Sequence, residues 1–390
     1  MYTNTTIYIL RYTDCPNTSI GEKQVKMSKK INIMTTCDNN IATYILPQLV
    51  SIDVNLHEYD VNFFLVHCRI SNENIEILRE FCENTCIRFN EIVVTDNTEF
   101  YESLVISGGR QWPREAYFTL RVQDYLPDDI DRILYIDAGD VIIDGDIRPY
   151  YFDSFEGNSI IATPLGFKTD PATNKTSLYS SDDILSVRNG SLFNSGSYII
   201  NVEKFRNEGY SIDDFLYLDD ILKQNTETGN APYFGDQGFL AAAFVGDVKF
   251  YGYPEYKDPS YMPFNFRSSY WGLFKNELTY KPVIIHYAII SKPWIVRFND
   301  ETIDKFISHP NFVSNHLVTP IPPLAYMTPE HLRLCELWWK YAEKTPIYRD
   351  ADIQARITAD SWLKYYFPIC AQYISLFYQH ESLKRQLVKN

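Results

Sequence analysis

Two carboxylates close the apolar run Arg132-Ile133-Leu134-Tyr135-Ile136-Asp137-Ala138-Gly139-Asp140. A short run rich in Ile, Leu and Tyr suits a central strand covered on both faces. Ligands of open α/β sheets bind just beyond the carboxyl ends of such strands. Two Asp side chains held there by Ala and Gly can grip a hard divalent cation through oxygen and leave positions for a diphosphate. The same residues also suit an acidic turn after a strand, because Asp and Gly are ordinary turn formers. Cys82 and Cys86 stand four apart on an expected helix, where two thiolates could share a metal. With no second Cys or His pair nearby, packing is the expectation for them.

Positioning such carboxylates requires a sheet. Strand-like runs at residues 31–35, 62–66, 92–94 and 133–136 alternate with helix-like segments around 43–54, 74–84 and 115–125. That alternation predicts βαβ units and a mainly parallel sheet. A second set of strands is expected at 159–162, 197–200 and 282–285, and the polar stretch 165–193 reads as a long surface excursion. No internal repeat is seen.

A chain of 390 residues with 45% hydrophobic content can bury a large core. Its net charge of −14 argues against a general nucleic-acid binder, which needs a basic field to displace phosphate counterions. Seven cysteines form no paired framework and point to a reducing compartment. No window approaches the roughly 18 consecutive apolar residues of a membrane span. Residues 1–26 lack the basic start and apolar core of a signal peptide, so a cytoplasmic protein is expected. Met27-Ser28-Lys29-Lys30 resembles an alternative start, which makes residues 1–28 an extension expected to be unstructured.

Pro320-Ile321-Pro322-Pro323 marks a boundary, and Thr328-Pro329 offers an N-cap with Pro at the first helical position. Residues 321–390 are therefore read as a C-terminal helical extension of the domain at 29–320. Leu334, Trp338 and Tyr341 share one helical face, and further aromatics follow from Trp362 to Tyr378. Residues 331–390 carry nine Lys and Arg against six Asp and Glu in an otherwise acidic protein. Such a tail can lie on the inner face of an anionic bilayer or pack its aromatics on the main domain.

Four further motifs follow in order: Thr36-Cys37-Asp38-Asn39-Asn40 after the first strand, Phe193-Asn194-Ser195-Gly196, Gly235-Asp236-Gln237-Gly238, and His286-Tyr287 leading to Lys292-Pro293-Trp294. With the acidic strand end they resemble glycosyltransferase family 8, the retaining sugar-nucleotide transferases. The resemblance runs from about Lys30 to Trp294. It implies a GT-A type α/β domain that binds a UDP-hexose through a metal, usually Mn²⁺ with Mg²⁺ as the alternative. By resemblance, Asp137, Asp140 and His286 are the metal ligands, and Lys292 is a positive charge on the diphosphate. Asp38 and Asn40 match positions that hydrogen-bond uracil or ribose, with Thr36 a neighbouring main-chain contact. Asn194, Asp236 and Gln237 match positions lining the donor sugar, with Gln237 facing the anomeric carbon. The implied acceptor is a saccharide or lipid-linked glycan of a bacterial surface polysaccharide.

The pattern departs from the family at several places. Its usual Asp-x-Asp is one residue longer here, so Asp140 reaches a metal only if Gly139 permits a tighter turn. Ile41 replaces a common aromatic, Thr119 replaces a usual Arg, and Ile289-Ile290 replaces a usual Gly-Pro. Arg114 and Arg121 are the candidates to substitute for the missing Arg. These departures keep a second reading open, a catalytically weak relative that binds a nucleotide or glycan. A nucleotidyltransferase is a third, but it would carry a Gly-rich basic loop where Thr36 to Ile41 stands.

Overall fold

The computed structural model describes residues 30–107, 113–164, 167–169, 176–178, 193–227, 235–251, 282–287, 292–299, 301–302 and 329–365. Its centre is a seven-stranded sheet. In chain order the strands are β1 (Lys30–Thr36), β2 (Asp60–His67), β3 (Ile87–Val93), β4 (Arg132–Ile136), β5 (Val141–Ile143), β6 (Ile160–Pro164), β7 (Phe167–Thr169), β8 (Thr176–Leu178), β9 (Phe193–Asn201), β10 (Val248–Phe250) and β11 (Ile284–His286). The main sheet runs β10-β6-β9-β4-β1-β2-β3, while β5 pairs with β11 and β7 with β8 as separate ribbons. Pairs β1–β2, β2–β3, β1–β4 and β6–β10 are parallel, and β9 lies antiparallel between β4 and β6.

The central strands are apolar on both faces because both faces are covered. Along β1, Ile31 and Ile33 enter one core with Val61, Phe63 and Leu134, beneath α1 (Ile45–Leu56) and α2 (Asn72–Cys82). Met34 points to the other core with Phe64, Tyr135 and Tyr198. That second core is closed by α3 (Thr98–Ser107), a 3-10 helix over Arg114–Arg121, α4 (Val122–Tyr125), α6 (Val202–Glu208), α7 (Ile212–Glu227) and α8 (Gly235–Ala243), while α5 (Arg148–Tyr151) lies on the first side. The period-2 alternation of strand side chains thus feeds two layers. Each fully buried Ile or Leu contributes about 1.5–3 kcal/mol to that arrangement.

The expected strands and helices are present with shifted ends, and three differences have physical causes. The helix expected at 115–125 is mostly 3-10, with Glu115, Tyr117, Phe118, Thr119 and Leu120 all buried, which a one-sided amphipathic stripe would not give. The run at 282–285 does not join the main sheet, because its partner is the short strand that follows Asp140. Within the polar stretch 165–193, β7 and β8 form a hairpin.

Beyond the sheet lie α9 (Pro329–Ala342) and α10 (Tyr348–Tyr365). Helix α9 begins at Pro329 as expected, and Thr328 falls outside the described residues. Trp338, Trp339 and Ala342 are fully buried in a third apolar cluster with Val50, Ile142, Ile285, Tyr287 and Trp294. The aromatics of α9 are therefore spent inside the protein, and those from Tyr366 to Tyr378 lie outside the described residues. Arg297 ties the unit together by pairing with Glu336 at 3.0 Å and Asp352 at 2.8 Å. No described helix is long and apolar enough to cross a membrane.

Candidate active site

From β1 the chain builds outward through β2 and β3, then returns to the other side as β4. The sheet order therefore reverses between β1 and β4, and a ligand crevice is expected at their carboxyl ends. Asp38 follows β1 there and Asp137 follows β4. Antiparallel β9 starts beside that point, with Ser197 opposite Ile136, so Asn194, Ser195 and Gly196 lie against the acidic loop. His286 arrives on β11 opposite Val141. Four distant segments meet because of sheet topology.

Oxygen or nitrogen atoms of Asp137, Asp140 and His286 all lie within 4.8 Å of one another, and this is the group able to share an ion among the described residues. His286 Nε2 stands 3.2 Å from Asp137 Oδ2 and 3.8 Å from Asp140 Oδ2. Its other nitrogen, Nδ1, is 3.1 Å from Asn194 Oδ1, an acceptor that also takes the Gly196 N–H at 2.9 Å. Asn194 Oδ1 can only accept, so Nδ1 carries a hydrogen, and Nε2 is the ring nitrogen that faces the two carboxylates. Gly196 leaves room for the ring: an ideal Cβ there would stand 2.1 Å from His286 Cε1.

The donor set fits a divalent cation. Asp140 is 3% exposed, yet its Oδ1 has no hydrogen-bond partner among the described residues, an expensive arrangement for a buried carboxylate oxygen without a ligand. Two carboxylates and an imidazole suit Mn²⁺ or Mg²⁺, with the nitrogen favouring Mn²⁺. Lys292 Nζ contacts Asp140 Oδ2 and lies 3.4 Å from the Tyr287 carbonyl. Burial pushes Lys292 down to about 8, partly opposed by the charge of Asp137. Burial pushes Asp137 up, but His286 and Lys292 outweigh it and hold the carboxyl below its usual range.

The longer spacing between the acids is accommodated by Gly139, whose φ of +74° is the left-handed region that side chains rarely adopt. A Cβ there would also stand 2.9 Å from the Tyr44 carbonyl oxygen. The loop backbone is held from below by Gln48, fully buried on α1, whose amide donates to the carbonyls of Asp137 at 2.8 Å and Val141 at 3.0 Å. Asp137 N–H donates to Gly196 O at 3.0 Å and Tyr287 N–H to Asp140 O at 2.7 Å. The sequence reading missed Gln48, although a lone amide within Ile45-Leu46-Pro47-Gln48-Leu49-Val50 is a visible signal. It also missed Tyr135, which donates from its hydroxyl to Asp137 Oδ1 at 3.0 Å and meets the Thr36 hydroxyl at 3.3 Å.

Asp38 and Asn40 are brought together at the end of β1. Asp38 Oδ1 accepts the N–H groups of Asn40 at 2.9 Å and Ile41 at 3.2 Å, and the Asn40 amide donates to Oδ2 at 3.2 Å. This is an Asx turn with Asn40 exposed at its tip. Asn39 anchors the same loop by accepting the Ser71 N–H at 2.8 Å. Asp236 and Gln237 open α8, after Gly235 at φ +60°. Burial and the nearby charge of Asp137 push Asp236 up to about 7, partly opposed by a hydrogen bond from Ser195. Both candidate arginines are paired with carboxylates, Arg114 with Glu102 at 2.6 Å and Arg121 with Asp124 at 2.7 Å. Ile289 and Ile290 lie outside the described residues. The Cys82 and Cys86 thiols are both pushed up to about 12, chiefly by burial, as packing groups rather than thiolate ligands.

The profile of glycosyl transferase family 8 matches residues 32–296. A search among curated proteins finds no significant match. Among solved structures, the galactosyltransferase LgtC, in complex with donor and acceptor sugar analogs, is similar over 82% of this chain and 100% of its own, at 17% identity and a TM-score of 0.54. The WbbM bifunctional glycosyltransferase is similar over 87% of this chain and 54% of its own, at 13% identity and a TM-score of 0.52. These likenesses concern the fold and identify it as GT-A. With that profile spanning more than half of the chain, and its strand ends gathered at the switch point of a GT-A sheet, this protein belongs to glycosyltransferase family 8 and is a glycosyltransferase.

Proposed function

We propose that this glycosyltransferase transfers a hexose from a UDP-sugar to a saccharide or lipid-linked glycan acceptor, with retention of anomeric configuration, in bacterial surface polysaccharide synthesis on the cytoplasmic side. The observation that carries the proposal is the convergence of Asp137, Asp140 and His286 beside Asp236 at the reversal of the sheet. Asp137, Asp140 and His286 would hold Mn²⁺. When bound, the ion supplies positive charge that polarises the diphosphate and stabilises the leaving UDP. Lys292, already beside Asp140, adds a second cation on the diphosphate side. Asp38 and Asn40 would exchange part of their mutual bonding for uracil or ribose, with Thr36 at the floor of that subsite. Asn194 orients His286 through its amide oxygen, and its amide nitrogen would serve the donor sugar. Asp236 would hold sugar hydroxyls and Gln237 would face the anomeric carbon. An amide oxygen is a poor nucleophile, so a front-face route, with the leaving phosphate oxygen taking the acceptor's proton, suits these residues better than a covalent intermediate.

The division into an extension at 1–28, a GT-A domain at 29–320 and a helical unit at 321–390 belongs to the same proposal. A second reading, a nucleotide- or glycan-binding relative without turnover, is favoured by one observation: Thr119 stands where an Arg is usual, and both neighbouring arginines are committed to other carboxylates.

Calorimetry of Mn²⁺ and UDP tests the assignment. Each should tighten the other's binding by the same factor, at least about tenfold, because coupling between two ligands is reciprocal. Asp140→Asn should remove that coupling, and equal UDP affinity with and without Mn²⁺ in the intact protein would sink the metal role. Measured transfer of hexose then separates the enzyme from the weak relative. Asn194→Ala should weaken Mn²⁺ on the order of tenfold, because a ligating imidazole loses the partner that fixes its tautomer. Unaltered Mn²⁺ affinity in that variant would return Asn194 to the sugar alone.

A further inference from the structure

We infer that Trp338, outside the region shared with the family, is a positioning residue for the acidic loop, so that the C-terminal helical unit completes the metal site. This inference rests on the metal assignment for Asp137, Asp140 and His286. The matched region ends at residue 296, yet the Trp338 indole N–H donates to the Gly139 carbonyl at 2.8 Å. Gly139 belongs to the longer spacing between the two acids. Its left-handed conformation turns the chain so that Asp140 folds back toward His286, and a turned, buried carbonyl needs a donor. Other backbone groups of the loop are paired elsewhere: Gln48 on α1 donates to the Asp137 carbonyl, the Asp137 N–H donates to Gly196 O, and the Asp140 carbonyl accepts the Tyr287 N–H. The Gly139 carbonyl takes its donor from α9 instead.

The indole is itself held firmly. Trp338 is fully buried, its ring lies 5.6 Å from Trp294 and 5.0 Å from Trp339, and Trp294 stacks on Tyr44 at 4.7 Å and 14°. Tyr44 is the residue whose carbonyl closes over Gly139. The stack therefore joins the turn from both sides, and Trp294 stands two residues after Lys292. A helix that only packed on the domain would need Trp338 as an apolar filler, whereas the hydrogen bond to Gly139 makes its N–H matter to the position of Asp140.

Mn²⁺ titration of the full chain, read by loss of the free-ion EPR signal, tests this. Trp338→Phe keeps an aromatic filler and removes the donor. It should melt cooperatively like the wild type but bind Mn²⁺ on the order of tenfold more weakly. Tyr341→Phe is the control, since it removes a hydrogen bond of the same helix, from the Tyr341 hydroxyl to Asp144 at 2.7 Å, outside the metal loop. Its Mn²⁺ affinity should stay at the wild-type value. Equal affinity in Trp338→Phe and wild type overturns the inference, as does an equal loss in both variants. Should Trp338→Phe fail to fold, deuterium exchange of the Trp338 indole N–H in the intact protein decides. Exchange should slow when Mn²⁺ is added, and an unchanged rate overturns the proposal. Wild type that binds Mn²⁺ while Asp140→Asn does not keeps the metal assignment standing in either case; wild type that fails to bind it overturns both.

Discussion

Gly196→Ala should cost at least about 100-fold in Mn²⁺ affinity and a similar factor in turnover, while the sheet remains folded. The added methyl would stand 2.1 Å from Cε1, 2.5 Å from Nδ1 and 2.7 Å from Nε2 of His286, so the whole ring has to leave. It has little room to do so, being 6% exposed and bonded through Nδ1 to Asn194. Backbone movement is resisted as well, because Gly196 O accepts from Asp137 and the next residue pairs with Ile136. Overpacking of this kind costs about 1–3 kcal/mol, short of unfolding a typical domain. A double variant separates clash from chemistry. Adding His286→Ala to Gly196→Ala should restore the melting temperature toward wild type and leave Mn²⁺ binding weak, a coupling of opposite sign in the two readouts. A Gly196→Ala protein that binds Mn²⁺ like the wild type would show that His286 is not a ligand.

This dependence on Gly196 was only partly legible in the sequence. The strand end at Asp137, the strand before Asp38 and the helical start at Pro329 announce themselves through local pattern, a buried run, a turn and an N1 proline. Which strand lies beside β4 does not, because β9 comes more than fifty residues later in the chain and is inserted antiparallel. The Phe193-Asn194-Ser195-Gly196 motif suggested a sugar subsite by resemblance, while the structure shows its Asn holding His286 and its Gly clearing space for the ring. Gln48 and Trp338 were hidden for the same reason. Each reads locally as one position on an amphipathic helix, and its role comes from what tertiary packing sets opposite it. The strand Val141–Ile143 was masked by the acidic loop before it, though it is the partner that brings His286 to Asp140.

Asp236→Asn should depress turnover by about 100-fold or more while Mn²⁺ and UDP still bind together, because in the proposed role the side chain would hold the donor sugar and a displacement of about 1 Å there carries that penalty. The same substitution should stabilise the ligand-free protein. Burial beside Asp137 raises Asp236 from 3.8 to about 7. The native state therefore keeps a proton that the unfolded chain has released, and between those values stability falls as pH rises. Asn has no such proton to lose, so Asp236→Asn should melt higher than wild type at pH 8 and close to it near pH 4. Function reverses the preference, since an ionised carboxylate accepts hydrogen bonds from sugar hydroxyls and a neutral one competes as a donor. Cationic charge at Asp137 favours ionisation, so wild-type turnover should rise with pH along a limb at or below about 7. Unchanged turnover in Asp236→Asn would remove this residue from the catalytic set. With any active donor and acceptor, NMR of the product settles the stereochemistry independently: an α-linked donor giving an α-linked product supports retention, and a β-linked product refutes it. Gln237→Ala completes the separation. Turnover lost with UDP affinity kept places Gln237 at the anomeric centre, whereas equal loss of both would assign it to general binding of the donor.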